Sequence, residues 1–592
     1  MISLDNKGVI MTTKELLQSI SDAEINDWAD IEEFLTGLAI VSKVMHQPAP
    51  EPFEHTVSRG IGFVTYDFGI DGVSIEIFKY ADCLEKMFAK KGHEQVPMHF
   101  IAGEFYDKAD VVLKPYWNRF QIEGMDGWNK WADGKYFSKL YYEDMPAGSA
   151  VSHEMALEMW QQATAFAEKL GNYLEQHEIK LLIPVNIPTN PGNFAIMLAI
   201  IMVTEALQCS VISSNHDFYW EGGTPPNERA PGAAPGVRDH FFHNCDNGSF
   251  FALFKKMYPW NGNRWLQVNI NSPQSEALIE KFDFPADKVF ELGTAISDSF
   301  FKKATPEYVK SVRQRMAYVV SGGKPIIEPI EITEQLAGLS EWMTNQQPVA
   351  CAHSAGLTLD LTKDKTLFCL QPTRVVGRKR IEKDLQMLQA LMHYEPFKNL
   401  FFNDEEYQLV VHVTGPIPVE HQADLELVLK AYIELCESVP VAVADRIFIE
   451  FSVGNDSHPC FEKLGLEGLK IEDIYQLATV ILFPSETEGR GLPIIEASAG
   501  GIPIVCSRYY PEEVFDEVVG ADLPDKQQIE FLEFPDEGYS KLFLASVNEL
   551  ILHPEHFEQR MQHNRRAVSL RYGSEMLHHK FIEFLDKLAE IN

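Results

Sequence analysis

From Lys365 onward the chain alternates strand and helix in strict order: TLFCLQP, a helix over 381–394, YQLVVHVTG, a helix over 421–437, RIFIEFSV, a helix over 471–478, VILFPS, a helix over 493–500, and PIVCS. Five short apolar strands separated by helices leave few folds open. Parallel strands need crossovers that only helices commonly supply, and a sheet covered by helices on both faces reads as continuous apolar runs rather than as alternation. The pattern predicts a doubly wound α/β domain over 364–552.

The first half carries the same signal less regularly. A strand at Gly62-Phe63-Val64-Thr65-Tyr66 leads through DFGIDGVS into an amphipathic helix running through Ile75, Ile77, Phe78, Ala81, Leu84 and Phe88. A helical pattern at 153–177 precedes LLIPVNI, and another at 192–207 precedes SVISSNHDF. A second Rossmann-like domain is therefore expected over 55–304. Residues 1–54 read as a helical extension ending in the linker HQPAPEPFEH, and 305–363 as a connecting insertion. The Gly/Pro-rich stretch 222–238 reads as a mobile loop. The tail, 553–592, reads as helices packing back across the domain boundary.

Charge narrows the function classes. With 51 Lys+Arg against 86 Asp+Glu the formal net charge is −35, which argues against nucleic acid or an anionic membrane as partner. The eight cysteines are scattered without a CxxC pair, so neither a disulfide framework nor a structural zinc site is expected. The opening residues lack a basic region followed by an apolar one, and the longest apolar run, Phe194 to Val203, is too short to span a bilayer, which needs about 20 residues. A cytoplasmic protein is expected. No Asp-x-Asp pair occurs, so no protein-held metal is expected.

The most informative chemistry lies in Pro484-Ser485-Glu486-Thr487-Glu488-Gly489-Arg490-Gly491-Leu492-Pro493-Ile494-Ile495-Glu496-Ala497. A strand ends, a glycine-bearing loop follows, and Pro493 opens a helix. Gly489 and Gly491 allow close backbone approach to a ligand, and the helix N-terminus favours negative charge. Glu488 and Glu496 could grip two sets of hydroxyls; equally, Glu496 could serve the helix dipole and Glu488 be solvated. Arg374, Arg378, Lys379 and Arg380 cluster between TLFCLQP and the following helix, where the dipole disfavours cations. Either an anion binds among them or the turn is a solvated basic one. In the first half, His216-Asp217 ends the strand SVISSN, and Asp71-Gly72 sits in the first βα turn. Seven tryptophans (Trp117, Trp128, Trp131, Trp160, Trp220, Trp260, Trp265) fall between 55 and 304. Most are expected in the core and some against a sugar.

The run FPSETEGRGLPIIEASAGGIPIV resembles the signature of retaining glycosyltransferases of family 4, which share the GT-B fold and a Glu-x7-Glu pair. The resemblance implies two Rossmann-like domains facing a cleft. It implies that Glu488 lies against the donor sugar, that Glu496 binds the nucleotide ribose, and that Gly489, Arg490, Gly491 and Leu492 donate backbone hydrogen bonds. It also implies that Arg374 and Lys379 hold the donor diphosphate, that His216 reaches the donor sugar, and that Gly72, with Asp71 and Asp217 nearby, serves the acceptor or its phosphates. Arg490 stands where the family usually has Phe, and Thr373 where it has Gly.

The activity implied by the resemblance is transfer of a hexose from a nucleoside-diphosphate sugar, a UDP-sugar being the commonest, to an acceptor hydroxyl with retention of configuration. No tightly bound cofactor is implied. With no basic amphipathic helix in view, the acceptor is expected to be small and soluble: a sugar, sugar phosphate or polyol acid. The alternatives are a lipid-linked glycan acceptor, an epimerase or phosphorylase of the same fold, a non-catalytic sugar-nucleotide binder, and an assembly protein. Homo-oligomerisation is left open.

Overall fold

A computed structural model describes residues 11–44, 51–69, 72–93, 95–106, 109–127, 131, 134–321, 327–329, 349–354, 357, 359–415, 421–452, 465 and 468–591. The chain divides into two compact units, Met1–Ala295 with Glu575–Asn592, and Ile296–Ser574.

The first unit is built on seven parallel strands. In chain order the strands are β1 (Ile61–Val64), β2 (Asp67–Phe68), β3 (Met98–Ala102), β4 (Glu104–Phe105), β5 (Asn118–Gln121), β6 (Leu181–Pro184), β7 (Ser210–Asn215), β8 (Trp265–Asn269) and β9 (Val289–Glu291). The sheet order is β5-β3-β1-β6-β7-β8-β9, and β2 pairs only with β4. Strands β1, β3, β6, β7 and β8 are buried along their whole length, as a sheet covered on both faces requires. Side-chain alternation assigns the two faces. Val64, Leu182 and Val211 join one core with the helices Ala150–Gln176 and Phe194–Ala206. Phe63, Ile183 and Ile212 join another with the helices Gly72–Lys90 and Ser574–Ile591.

The apolar run Phe194–Ala206 is buried at every position, because two further helices close over it. These are Thr13–Ser21 and Trp28–Val44, whose Leu16, Ile20, Trp28, Ile31, Phe34, Leu35 and Leu38 enter the same core. The Trp28 indole donates to Ser152 Oγ at 3.1 Å. These two helices, within the stretch expected as an extension, thus form a layer of the first unit. The stretch 222–238 has no regular element, but its ends are fastened: Asp239 accepts from the Thr224 N–H at 2.7 Å and the Gly236 N–H at 2.6 Å.

The second unit carries eight strands: β10 (Ile327–Pro329), β11 (Val349–Ala352), β12 (Thr366–Gln371), β13 (Gln408–Thr414), β14 (Ile447–Ser452), β15 (Val480–Phe483), β16 (Ile504–Cys506) and β17 (Leu532–Glu533), in the order β10-β11-β14-β13-β12-β15-β16-β17. All pairs are parallel except β11 with β14. The five strands expected from the alternation are β12 to β16. Within 305–363, expected as a connecting insertion, the described elements pack in this unit. The helix Pro306–Ser321 places Val312 and Met316 in its core with Leu359 and Leu361, and β11 extends its sheet. Among the described residues no helix is long and apolar enough to cross a membrane.

Candidate functional site

Strand order selects one edge of the second sheet. From β12 the chain steps outward to β13 and β14, then returns to the other side of β12 and steps outward again through β15, β16 and β17. At such a reversal the loops leaving neighbouring strands diverge and open a crevice at the carboxyl ends. The loops leaving β12 and β15 are 372–381 and 484–491, the two segments that the sequence singled out.

Contacts join these loops directly. Lys379 closes a short 3-10 turn, Gly377–Lys379, is 7% exposed, and pairs its ammonium with Glu488 Oε1. Arg378 Nη1 donates to the Thr487 carbonyl at 2.5 Å and lies 3.5 Å from Glu488 Oε2. The Glu486 N–H donates to the Arg378 carbonyl at 2.9 Å. Arg380 meets Glu382 at 2.7 Å and Glu486 at 3.4 Å. On its other side the 486–488 segment exchanges backbone hydrogen bonds with Tyr510, at 3.1 and 2.9 Å. Burial pushes the Lys379 ammonium below its usual range, and Glu488 opposes that shift.

The four cations of this turn differ in their partners. Arg378, Lys379 and Arg380 find carboxylates within the unit. Arg374 is exposed, and among the described residues no carboxylate pairs with it. Its charge falls on Lys379, whose pKa it helps to lower. A ligand anion would thus meet Arg374 first and compete with Glu488 for Lys379.

The second glutamate is held separately. Glu496 lies in the helix Leu492–Gly500 and accepts from the Tyr475 hydroxyl at 2.7 Å. Burial, reinforced by Glu496, holds that phenol well above its ordinary range. Gly491 caps the helix at φ 70°, and a Cβ there would overlap Tyr509 Oη. At Gly489 a Cβ would meet nothing within 4 Å. Leu492 is 39% exposed. Arg490 turns inward: its guanidinium binds Glu517 at 2.5 Å and lies 5.5 Å from the Tyr572 ring centroid, so only its backbone faces the loop.

Two supports, Tyr475 and Asp384, were missed in the sequence. Ser485 Oγ is buried with no partner among the described residues. Tyr475 lies 21 residues before the glutamate it orients, with no motif to mark it. Asp384, fully buried, accepts from Gln371 Nε2 at 2.9 Å, and Gln371 Oε1 accepts from Thr373 Oγ1 at 3.0 Å. Burial pushes its carboxyl well above the usual range. The sequence shows only an acid in the first turn of a helix, which does not mark it as buried.

In the first unit the reversal falls between β1 and β6. Gly72 opens the helix after β1, where a Cβ would meet nothing within 4 Å; Asp71 lies outside the described residues. Tyr66, just past β1, donates to the Asn190 carbonyl at 3.1 Å and accepts from the Gly192 N–H at 3.0 Å. His216 follows β7, its Nε2 3.4 Å from Ser214 Oγ and its carbonyl accepting from Gln274 at 3.0 Å. Asp217 exchanges two 3.0 Å hydrogen bonds with Asn186 and pairs with Arg238 at 3.1 Å. Trp117, Trp131, Trp160, Trp260 and Trp265 are buried, while Trp128 lies outside the described residues. Among the described residues the grouping suited to a metal is His553, Glu555 and His556, on neither loop.

No family model and no curated protein matches the sequence. Solved structures do. A glycosyltransferase from Rickettsia africae is 12% identical with a TM-score of 0.49, covering 89% of this chain and 98% of that one. The Anabaena protein HepE, solved with UDP and glucose, is 11% identical with a TM-score of 0.47, covering 89% and 99%. A sucrose-phosphate synthase from Thermosynechococcus elongatus is 13% identical with a TM-score of 0.43, covering 90% and 100%. These likenesses are too distant to assign an activity or a substrate.

Proposed function

We propose that this chain is a GT-B glycosyltransferase that moves a hexose from a nucleoside-diphosphate sugar, a UDP-sugar by preference, to the hydroxyl of a small soluble acceptor with retention of configuration. The observation that carries the reading is the junction of two segments 109 residues apart, Lys379 on one and Glu488 on the other, at the chain reversal of the second sheet. Arg374 supplies the exposed cation for the diphosphate, and Lys379 turns from Glu488 to share it. Charge developing on the departing diphosphate is then met by groups already in place. Glu488, freed in part, lies against the sugar, Glu496 accepts from the ribose hydroxyls beside Tyr475, and Gly489 to Leu492 offer backbone N–H groups. His216 serves the donor sugar, and Asp217, Gly72 and Asp71 serve the acceptor or its phosphates. As the resemblance implies, the acceptor attacks from the face the diphosphate leaves, with Glu488 held by Lys379 rather than acting as a covalent nucleophile. The reaction would run in the cytoplasm.

Calorimetry with a panel of nucleotide sugars, followed by NMR of the product's anomeric proton, tests the reading. One donor should bind and yield a product of unchanged anomeric configuration. Absence of nucleotide binding, or binding unaltered in Arg374→Ala and Lys379→Ala, removes it. Because Glu488 is already neutralised by Lys379, the same geometry suits a binder that turns nothing over, and binding without product would select that reading.

A further inference from the structure

The first unit holds a second candidate site at the opposite edge of its sheet. A cavity of about 380 Å³ is bounded by Lys43, Lys255, Lys256, Trp260 and Phe282, within the size range of small-ligand pockets, about 300–1,000 Å³. Trp260 precedes β8, and Phe282 precedes β9. The cavity therefore lies at the amino ends of the strands, whereas His216, Asp217 and the chain reversal lie at the carboxyl ends.

Charge makes the cavity unusual in a protein of net charge −35. Lys256 pairs with Glu32 at 3.1 Å. Among the described residues no carboxylate pairs with Lys43 or Lys255. Lys288 donates to the carbonyls of Gly262 and Asn263 at 3.1 and 2.8 Å, fastening the loop that forms one wall. Burial, with a smaller push from Lys43, holds its ammonium below the usual lysine range. Lys43 and Lys255–Lys256 end the helices Trp28–Val44 and Gly248–Met257, and each helix end offsets about half a charge. Glu32, Glu205, Asp287 and the two helix ends together offset the four lysines, so what the cavity offers an anion is the pair of ammonium groups, Lys43 and Lys255, that no carboxylate holds among the described residues. The remaining wall is apolar: Ile40 is 59% exposed, and Phe282 stacks on Trp220 with ring centroids 4.3 Å apart.

We propose that this cavity binds a small organic phosphomonoester, its phosphate between Lys43 and Lys255 and its ring against Ile40 and Phe282. Charge-assisted contacts from two ammonium groups suit a phosphate, and an apolar wall favours an organic ester over a bare ion. The position, at the end of the first sheet opposite its own chain reversal, makes the ligand an effector rather than a reactant. The inference does not depend on the proposed transfer activity.

Calorimetry on the full chain tests it, with adenosine 5′-monophosphate and glucose 6-phosphate as probes and sulfate at equal ionic strength as control. At least one probe should bind with a Kd below about 1 mM, and the double variant Lys43→Ala/Lys255→Ala should weaken it at least about tenfold. Both lysines are exposed, so the variant should keep the parental melting temperature, and saturating UDP should not displace the probe. Lack of binding by both probes, equal binding of sulfate, displacement by UDP, or an unaffected double variant would each overturn the proposal. So would binding of phosphatidylglycerol vesicles that the double variant abolishes while neither phosphomonoester binds.

Discussion

Lys379 and Arg374 stand five positions apart, and their surroundings separate what each does. Lys379 is buried against Glu488, so Lys379→Ala leaves a buried carboxylate short of its closest cation, which should cost about 3 kcal/mol in urea unfolding. Arg374 is exposed, so Arg374→Ala should leave stability within about 0.5 kcal/mol of the parent while weakening nucleotide-sugar binding about tenfold or more. Equal effects of both variants on stability would contradict the assigned environments. Gly491 gives a second contrast. Its φ of 70° and the closeness of Tyr509 Oη predict that Gly491→Ala loses at least about 1–2 kcal/mol, of which Tyr509→Phe recovers only part, because the ring carbon Cζ would still stand 2.8 Å from the new Cβ. Both loops were legible in the sequence as loops that close strands and carry charge. Their pairing was not, since spacing along a chain says nothing of which distant cation a carboxylate meets. Nor was the inward turn of Arg490, which follows from Glu517 and Tyr572 lying behind the loop.

At the scale of elements, alternation of apolar strands and helices predicted the sheet strands β12 to β16, because a parallel sheet imposes that pattern locally. The outer strands β10, β11 and β17 were not legible: they are short and lie outside the regular alternation. The helices Thr13–Ser21 and Trp28–Val44 were visible by their spacing, yet periodicity reveals an apolar face without revealing its cover. Here the cover is Phe194–Ala206, a helix apolar on all sides that needs partners all round. Trp28→Ala should therefore behave as a core truncation, losing about 3–5 kcal/mol in chemical denaturation. A loss under about 1 kcal/mol would mean that these helices are an appendage after all.

The molecule as a whole should respond to different agents through its two units, since each has its own core. Eight of the nine tryptophans, Trp28 to Trp265, belong to the first unit, so indole fluorescence reports mainly on it. That unit contains His99, whose Nδ1 lies 2.9 Å from Tyr173 Oη and whose Nε2 is buried with no partner among the described residues. Burial, with a smaller contribution from His177, lowers its pKa to about 4 from an ordinary 6.5. Above pH 6.5 the ring is neutral in both folded and unfolded chains and costs nothing. Between pH 6.5 and 4 the unfolded chain takes up a proton that the folded one refuses, so stability falls across that window and levels off below it, a loss of about 3 kcal/mol. Fluorescence-monitored urea unfolding should show this slope, and His99→Gln should flatten it. A UDP-sugar should act on the other unit by mass action, raising its transition by about 2.7 kcal/mol at a hundredfold excess over Kd. In calorimetry the donor should thus shift heat absorption that carries little indole signal. A donor that instead moved the fluorescence transition while leaving the remaining heat in place would put the nucleotide site in the first unit and dissolve the roles given to Lys379 and Glu488.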